Sequence, residues 1–431
     1  MSMKTIHEDK AIVTNDLLAV DLPSQRIPHR KDGGVRAWCS VVGGWLVMFC
    51  SFGYGNAFGV FQDLYTRQGG VSSSAASWIG SVQAFLMMVL ALPAGQLIDM
   101  GYARHVVICG SAMYFLCLFL LSFAHVGSYY QLFLAQGIGM GLSGGFLYLP
   151  AMALQARHWE RRRALAMGIV SSGSSIGGAV FPIMLNQLLH HNNLGFGWTT
   201  RALAFVILGL LIVANVLMSP GEAGPRSALR TGGVRKMLKD MPIVVVTLGS
   251  FLVNCGYYFP LFYVQLYCIL HGINSNVAFY MLTIMNASST VGRVVPSWSS
   301  DHFGVFSNYV PACLISSVLL FAMLATTSIP GIVVFSVLYG FASGAVITLL
   351  APLVATLTSD PSEMGLRIGA SFSVVSFAYL VGSPAAGALL GSGNTHWWRA
   401  IIFSAIPVVV GSFMLIPIWV RVARREKTWR V

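Results

Sequence analysis

Charge is what this chain has least of. Only 9% of its 431 residues are Asp, Glu, Lys or Arg, and just 14 of them are acidic. A soluble domain carries about 25% charged residues; a chain that is 56% hydrophobic with a mean hydropathy of +0.72 is a membrane protein instead. Cysteine is equally uninformative. The seven cysteines, Cys39, Cys50, Cys109, Cys117, Cys255, Cys268 and Cys313, have no CxxC spacing and lie in or beside apolar runs, so neither a disulfide framework nor a metal site is expected. There is no P-loop, no clustering of His with carboxylates and no nucleophile beside a base, which excludes an enzyme, a nucleotide-driven pump and any cofactor from the expectation. The net charge of +12 does not imply nucleic acid, because the basic residues sit between apolar runs rather than on a soluble face. No apolar h-region precedes Trp38, and Glu8, Asp9, Asp16 and Asp21 lie in the same tail, against a cleaved leader.

What the chain does have is long apolar runs. Twelve predicted spans begin near Ala37, Trp78, Val106, Gln131, Ala164, Ala202, Pro242, Val277, Tyr309, Ile332, Ile368 and Trp398, each suited to a hydrocarbon core about 30 Å thick. The expected fold is an all-α membrane protein. Of the 26 Lys and Arg, only Arg67, Arg201 and Arg399 fall on the side opposite the termini, which places both termini in the cytosol. Residues 1–31 read as a disordered tail, 32–219 as a first six-helix half, 220–241 as a Gly- and Pro-rich basic linker, 242–420 as a second half and 421–431 as a basic tail. The halves share a spacing. Asp99 and Asp301, Pro150 and Pro352, and Pro182 and Pro384 are each separated by the same number of residues, as two parallel repeats require.

The most unusual stretch is Asn286 to Gly304, which puts a single arginine into a span. Arg293 precedes the span's closing Asp301 by two helical turns, about 12 Å, so it lies within the hydrocarbon. A charge there costs at least about 2.5 kcal/mol, so it faces either a substrate cavity or a structural partner, or snorkels to the surface. Asn56 lies among Gly53, Gly55 and Gly59 in the first span, where it either packs or borders a cavity. The Gly-rich fourth span and the Gly- and Ser-rich fifth span, Gly168 to Pro182, are expected to pack centrally. At the cytosolic turns, Asp99 and Asp301 can cap a helix or pair with a cation, so Asp99, Arg104, Asp301 and the loop arginines Arg161 and Arg162 form the candidate gate.

These residues carry a resemblance. Asp32-Gly33-Gly34 before the first span, Trp159 to Gly177 (WERRRALAMGIVSSGSSIG), Gly292-Arg293 to Gly304 and Gly382 to Gly387 resemble the monocarboxylate porter branch of the major facilitator superfamily, in particular its fungal members. Gly95, Asp99 and Arg104 resemble the superfamily's loop motif, with Gly101 one place early. The resemblance implies two six-helix halves and a secondary transporter of an organic anion, a monocarboxylate or a larger acidic metabolite. Arg293 would pair with the carboxylate, and Asn56, Asn254, Tyr257 and Tyr258 would line the cavity. Two positions depart from the animal relatives. Asn56 and Ser289 stand where those carry a lysine and an aspartate used in proton-coupled transport, so a proton remains only a candidate co-substrate. Export of a fungal secondary metabolite leads, with nutrient uptake or a non-transporting nutrient sensor as alternatives. The expected protein is a monomer in contact with membrane lipid and no nucleic acid, in the plasma membrane or alternatively the vacuolar membrane.

Overall fold

Helices account for almost all of the chain that the computed structural model describes, which is residues 33–67, 69–159, 162–191, 195–219, 233–358, 364–390, 396–425 and 428. The tail 1–31, Arg161 and residues 220–232 of the expected linker lie outside the described residues, as do the side chains of Asp63, Asp99, His190 and His191. Among the described residues, eleven helices are long and apolar enough to cross a membrane: α1 (Val35–Thr66), α2 (Ala75–Ile98), α3 (Ala103–Leu121), α4 (Tyr129–Ala153), α5 (Arg163–Leu189), α6 (Phe196–Leu217), α7 (Met241–Leu270), α9 (Phe306–Ala325), α10 (Ile329–Thr356), α11 (Met364–Leu389) and α12 (Trp397–Arg425). Between α7 and α9 lies α8, Ser275–Phe303. Its 29 residues are long enough to span, but Arg293, Asp301, His302 and its many serines make it too polar to count among the eleven by composition. A short helix, Gly233–Leu238, precedes α7 within the expected linker.

Lipid tails give helices no hydrophobic reason to associate, so packing rests on small residues and buried polar bonds. Helix α5 shows this most clearly. A Cβ added at Gly173 or Gly177 would overlap the carbonyls of Trp45 or Phe49, so α5 lies directly on the backbone of α1. Gly292 and Gly340 do the same between α8 and α10, and Gly382 brings α11 onto α7 at Cys255. The outer faces carry large apolar side chains, among them Val216, Val318 and Phe413, all exposed where lipid would cover them.

The repeated landmarks fall in corresponding places. Pro150 lies inside the fourth helix and Pro352 inside the tenth, Pro182 inside the fifth and Pro384 inside the eleventh. Asp99 and Asp301 each end a helix before a turn made by a glycine at positive φ, Gly101 (φ 91) and Gly304 (φ 89). Only glycine takes that conformation without strain. Helix α1 is irregular, with a π-helical turn at Phe49–Gly53 and a break at Ala57, so its glycines both pack and loosen the helix.

Gly292→Ala tests the close packing. The added methyl must push α8 off the Phe341 carbonyl, costing about 1–3 kcal/mol. Gly209→Ala meets nothing within 4 Å and removes a flexible residue, so it should be neutral or stabilising by up to about 1 kcal/mol. Thermal unfolding of the two variants in detergent reads the difference.

Candidate substrate site and gate

The site lies along the line where α5 meets α8, one helix from the first six and one from the last six. Residues three or four apart share a helix face, and each such step down α5 meets a step up α8. At one end, the two carboxylate oxygens of Asp301 accept the backbone N–H groups of Ala164 (3.1 Å) and Leu165 (3.0 Å). These are free donors of the first turn of α5, at the positive end of its dipole, so the carboxylate suits the place twice over. One turn further, Gly168 makes room for Ser297 and the Arg293 carbonyl. Next comes Arg293 itself, then Ser175 donating to Ser289 (3.2 Å), then Asn286 donating to the Gly178 carbonyl (3.3 Å).

Arg293 is 4% exposed. Its Nη1 donates to the Ser171 hydroxyl at 2.7 Å and the Ser171 carbonyl at 3.2 Å, and its Nε to Ser289 at 3.4 Å. Ser171 also meets Thr348 of α10 at 3.1 Å. None of the arginine's partners among the described residues is a carboxylate, so the charge is solvated by hydroxyls and a carbonyl. A planar fork with five donors can be held this way and still offer donors to an anion. The hydroxyl of Tyr257 is within its hydrogen-bonding reach, and Tyr148 and Tyr258 are near enough to feel its charge.

Around the arginine stands an aromatic wall drawn from both sets of helices. Phe52 packs on Tyr148 (4.7 Å between ring centroids), Tyr148 on Phe372 (5.5 Å), and Tyr258 lies edge-on to both Tyr257 and Tyr379 (4.9 Å each). Against this wall is a cavity of ≈ 20 Å³ between α1, α2 and α7, room for about one water. A metabolite enters this state only after helices part.

The residues expected from sequence are distributed unevenly over this geometry. Arg293, Tyr257 and Tyr258 come together, and Asn56 joins them by lining the cavity while donating to the Ser174 carbonyl (3.3 Å). Asn254 does not line it. Its amide is taken up by the Ser250 carbonyl (2.7 Å) and the Tyr379 hydroxyl (2.9 Å), so it steadies Tyr379 behind Tyr258. Of the gate candidates, Asp301 caps α5, and the exposed Arg162 lies within electrostatic range of it. Arg104 is exposed on α3, in a crevice shared with Asn215 and Met218 of the first six helices, and does not meet Asp301. Neighbouring Arg163 donates to the Met364 sulfur, tying the start of α5 to that of α11. Ser171, Tyr148, Tyr379 and Gln83 were not anticipated. Gln83 had a signal, being the only polar side chain between Ser81 and Gln96.

A bundle of long apolar helices that encloses a buried cation and an aromatic-walled cavity defines a membrane carrier. The family model described as Major Facilitator Superfamily matches residues 44–329, and the chain belongs to that family of transporters. The aspyridones efflux protein apdF of Emericella nidulans is 38% identical over 389 residues, covering 89% of this chain and 77% of that protein. The agnestins efflux protein AgnL12 of Paecilomyces divaricatus is 38% identical over 385 residues, with 88% and 87% covered. Among solved structures, the human organic anion transporter MFSD10 superposes with a TM-score of 0.72 over 89% of this chain and 100% of its own. At 15% identity it shares the fold alone.

The Asp301 cap should hold this end shut. Asp301→Asn removes the charge and one of two acceptors, worth about 1–2 kcal/mol, so the balance between closed and open shifts by about tenfold. In a cysteine-free background, a Ser297→Cys probe, buried in this state, should label faster with maleimide when Asp301→Asn is added. Equal labelling would restrict Asp301 to a role in folding.

Proposed function

We propose that this transporter is a member of the monocarboxylate porter branch that exports an acidic secondary metabolite from a fungal cell by alternating access, with Arg293 as the anion's anchor. The observation that carries the reading is the buried Arg293, without a carboxylate partner among the described residues, on the helix of the last six that meets α5, with Tyr258 of the cavity wall within range of its charge. A carboxylate matches the fork of such a cation. The direction is supported by relatives whose names are those of efflux proteins.

In this reading α8 is the twelfth span, its polar face turned to α5 and α10 rather than to lipid. The chain forms two parallel six-helix halves, 32–219 and 242–420, joined by the linker 220–241, with both termini in the cytosol and the whole in the plasma membrane. The basic residues support that orientation, since only Arg67, Arg201 and Arg399 lie at the opposite end. The cap of Asp301 on α5 then closes the cytosolic mouth, and by the repeat spacing Asp99 serves the same purpose from α2, with Arg104, Arg161 and Arg162 supplying charge nearby. Asp63, Asp99, Asp240 and Asp301 lie at or within four residues of helix ends, so no acidic residue sits in the middle of a described helix. Driving force then comes from the substrate's own gradient or from a proton carried with it.

Efflux of labelled 1-naphthoate from cells expressing the chain tests the reading. Arg293→Lys keeps the charge but loses the two-pronged geometry and should slow efflux about tenfold, and Arg293→Ala by about a hundredfold or more. Wild-type efflux by Arg293→Ala at normal surface expression would remove Arg293 from the substrate's path. Uptake of short monocarboxylates without efflux of 1-naphthoate would reverse the direction proposed.

A further inference from the structure

One polar group in the cavity has no use within the fold. Gln83 is 1% exposed, and among the described residues neither its amide nitrogen nor its amide oxygen has a hydrogen-bond partner. It lines the cavity of α1, α2 and α7 together with Asn56, Phe52, Met87, Tyr258 and Phe262. Buried polar groups are almost always paired, and leaving both halves of an amide unpaired is a standing cost to stability. Asn56, in the same cavity, is paired through the Ser174 carbonyl of α5, whereas Gln83 has no such partner among the described residues. A leucine or methionine at position 83 would match its neighbours in α2 and avoid the cost.

The space before the amide is held open by a glycine. A Cβ added at Gly55 would come to 3.8 Å from Gln83 Nε2 and 4.0 Å from Met87 Sδ, which is ordinary contact. Gly53 and Gly80 differ, since a side chain at either would strike Gly177 or Phe58. Those two are packing glycines; Gly55 is a spacing one. It also lies between the π-helical turn and the break at Ala57, where α1 is least regular.

We propose that Gln83 is a specificity-determining residue whose carboxamide reads a neutral group offering N–H and C=O side by side, a cis-amide as found in a lactam ring. A primary amide and a lactam close a ring of two hydrogen bonds, whereas an N-methyl lactam can form only one. Tyr258 and Phe262 supply ring faces beside the amide. Tyr258 also lies within range of the Arg293 charge, so one substrate can present its anion to Arg293 and its lactam to Gln83. The inference rests on the carrier reading above and narrows its substrate class to acidic, ring-bearing lactams.

Calorimetric titration of the purified full chain with four probes tests it: 2-quinolone-4-carboxylate, its N-methyl derivative, 1-naphthoate, and 2-quinolone, which has no carboxylate. The wild type should bind the free lactam acid about tenfold more tightly than the N-methyl acid. Gln83→Leu should erase that preference and bring the lactam acid down to the affinity of 1-naphthoate. Gly55→Ala, whose methyl fits without a clash, should weaken lactam binding with no loss of thermal stability. A wild type without lactam preference, or a Gln83→Leu variant that keeps it, overturns the proposal. So does a Gln83→Leu variant that loses stability and affinity for all four probes alike, since Gln83 would then serve the fold. Should only the anion reading fail, 2-quinolone will still bind in a Gln83-dependent way while 1-naphthoate will not.

Discussion

A guanidinium inside a helix bundle must keep its donors bonded, and where no carboxylate is at hand the backbone and hydroxyls of a neighbouring helix must come close enough to serve. Arg293 imposes that condition on α5. The helix has to present Ser171 within reach, which brings its backbone so near α8 that Gly168 can carry no side chain. Ser175 and Gly178 continue the same face, and the first turn of α5 falls on Asp301. Gly168, Ser171, Ser175 and Gly178 of α5 thus lie along the face turned to α8. On its other side the same helix is pressed to α1 at Gly173 and Gly177, so a displacement of α5 from α8 is transmitted to the helix that borders the cavity.

Much of this was legible because it is written in scarce residues. A lone arginine in an apolar run faces a cavity, a structural partner or the surface, and Arg293 is buried among helices. Proline and aspartate recur at a fixed spacing, and the helices they mark correspond. Asp301 at a helix end had two physical options, a cap or an ion pair, and the geometry takes the cap. The span count was harder. Helix α8 is read easily from its length and position, yet the polarity that gives it interest also takes it below the apolarity of the other eleven.

What was not legible depends on rotation about a helix axis, which an apolar sequence does not encode. In a span with apolar residues on every face, nothing distinguishes an inward tyrosine from a lipid-facing one, so Tyr148 and Tyr379 carried no mark. Asn254 looked like a cavity residue by its type, but its amide serves Ser250 and Tyr379. Arg104 is a gate candidate by its place at a cytosolic turn, and which neighbour its side chain meets, a crevice with Asn215 and Met218, is set by the packing of α3 on α6. Ser171 was hidden in a run where almost every residue is Ser or Gly. Only its register against α8, a property of two helices at once, selects it.

The arrangement also bears on how an anion could move through a carrier whose described helices hold no acidic residue in their middle. In the closed state Arg293 is satisfied by Ser171, a neutral partner with weaker hydrogen bonds than a carboxylate forms. In the proposed cycle, parting α5 from α8 would take Ser171 away and leave the guanidinium only Ser289 and Tyr257, which would raise its affinity for an anion at that moment. Closing again would return Ser171 and set the serine in competition with the substrate, so the same seam would lower the affinity of the proposed site. A carboxylate in place of Ser289 would remain beside the arginine in both states and damp that swing, since its attraction would not depend on whether the helices had parted. On the proposed reading the serine would make the anion affinity of Arg293 a function of conformation, which is the differential binding that any alternating-access cycle needs if its substrate is to be both taken up and let go.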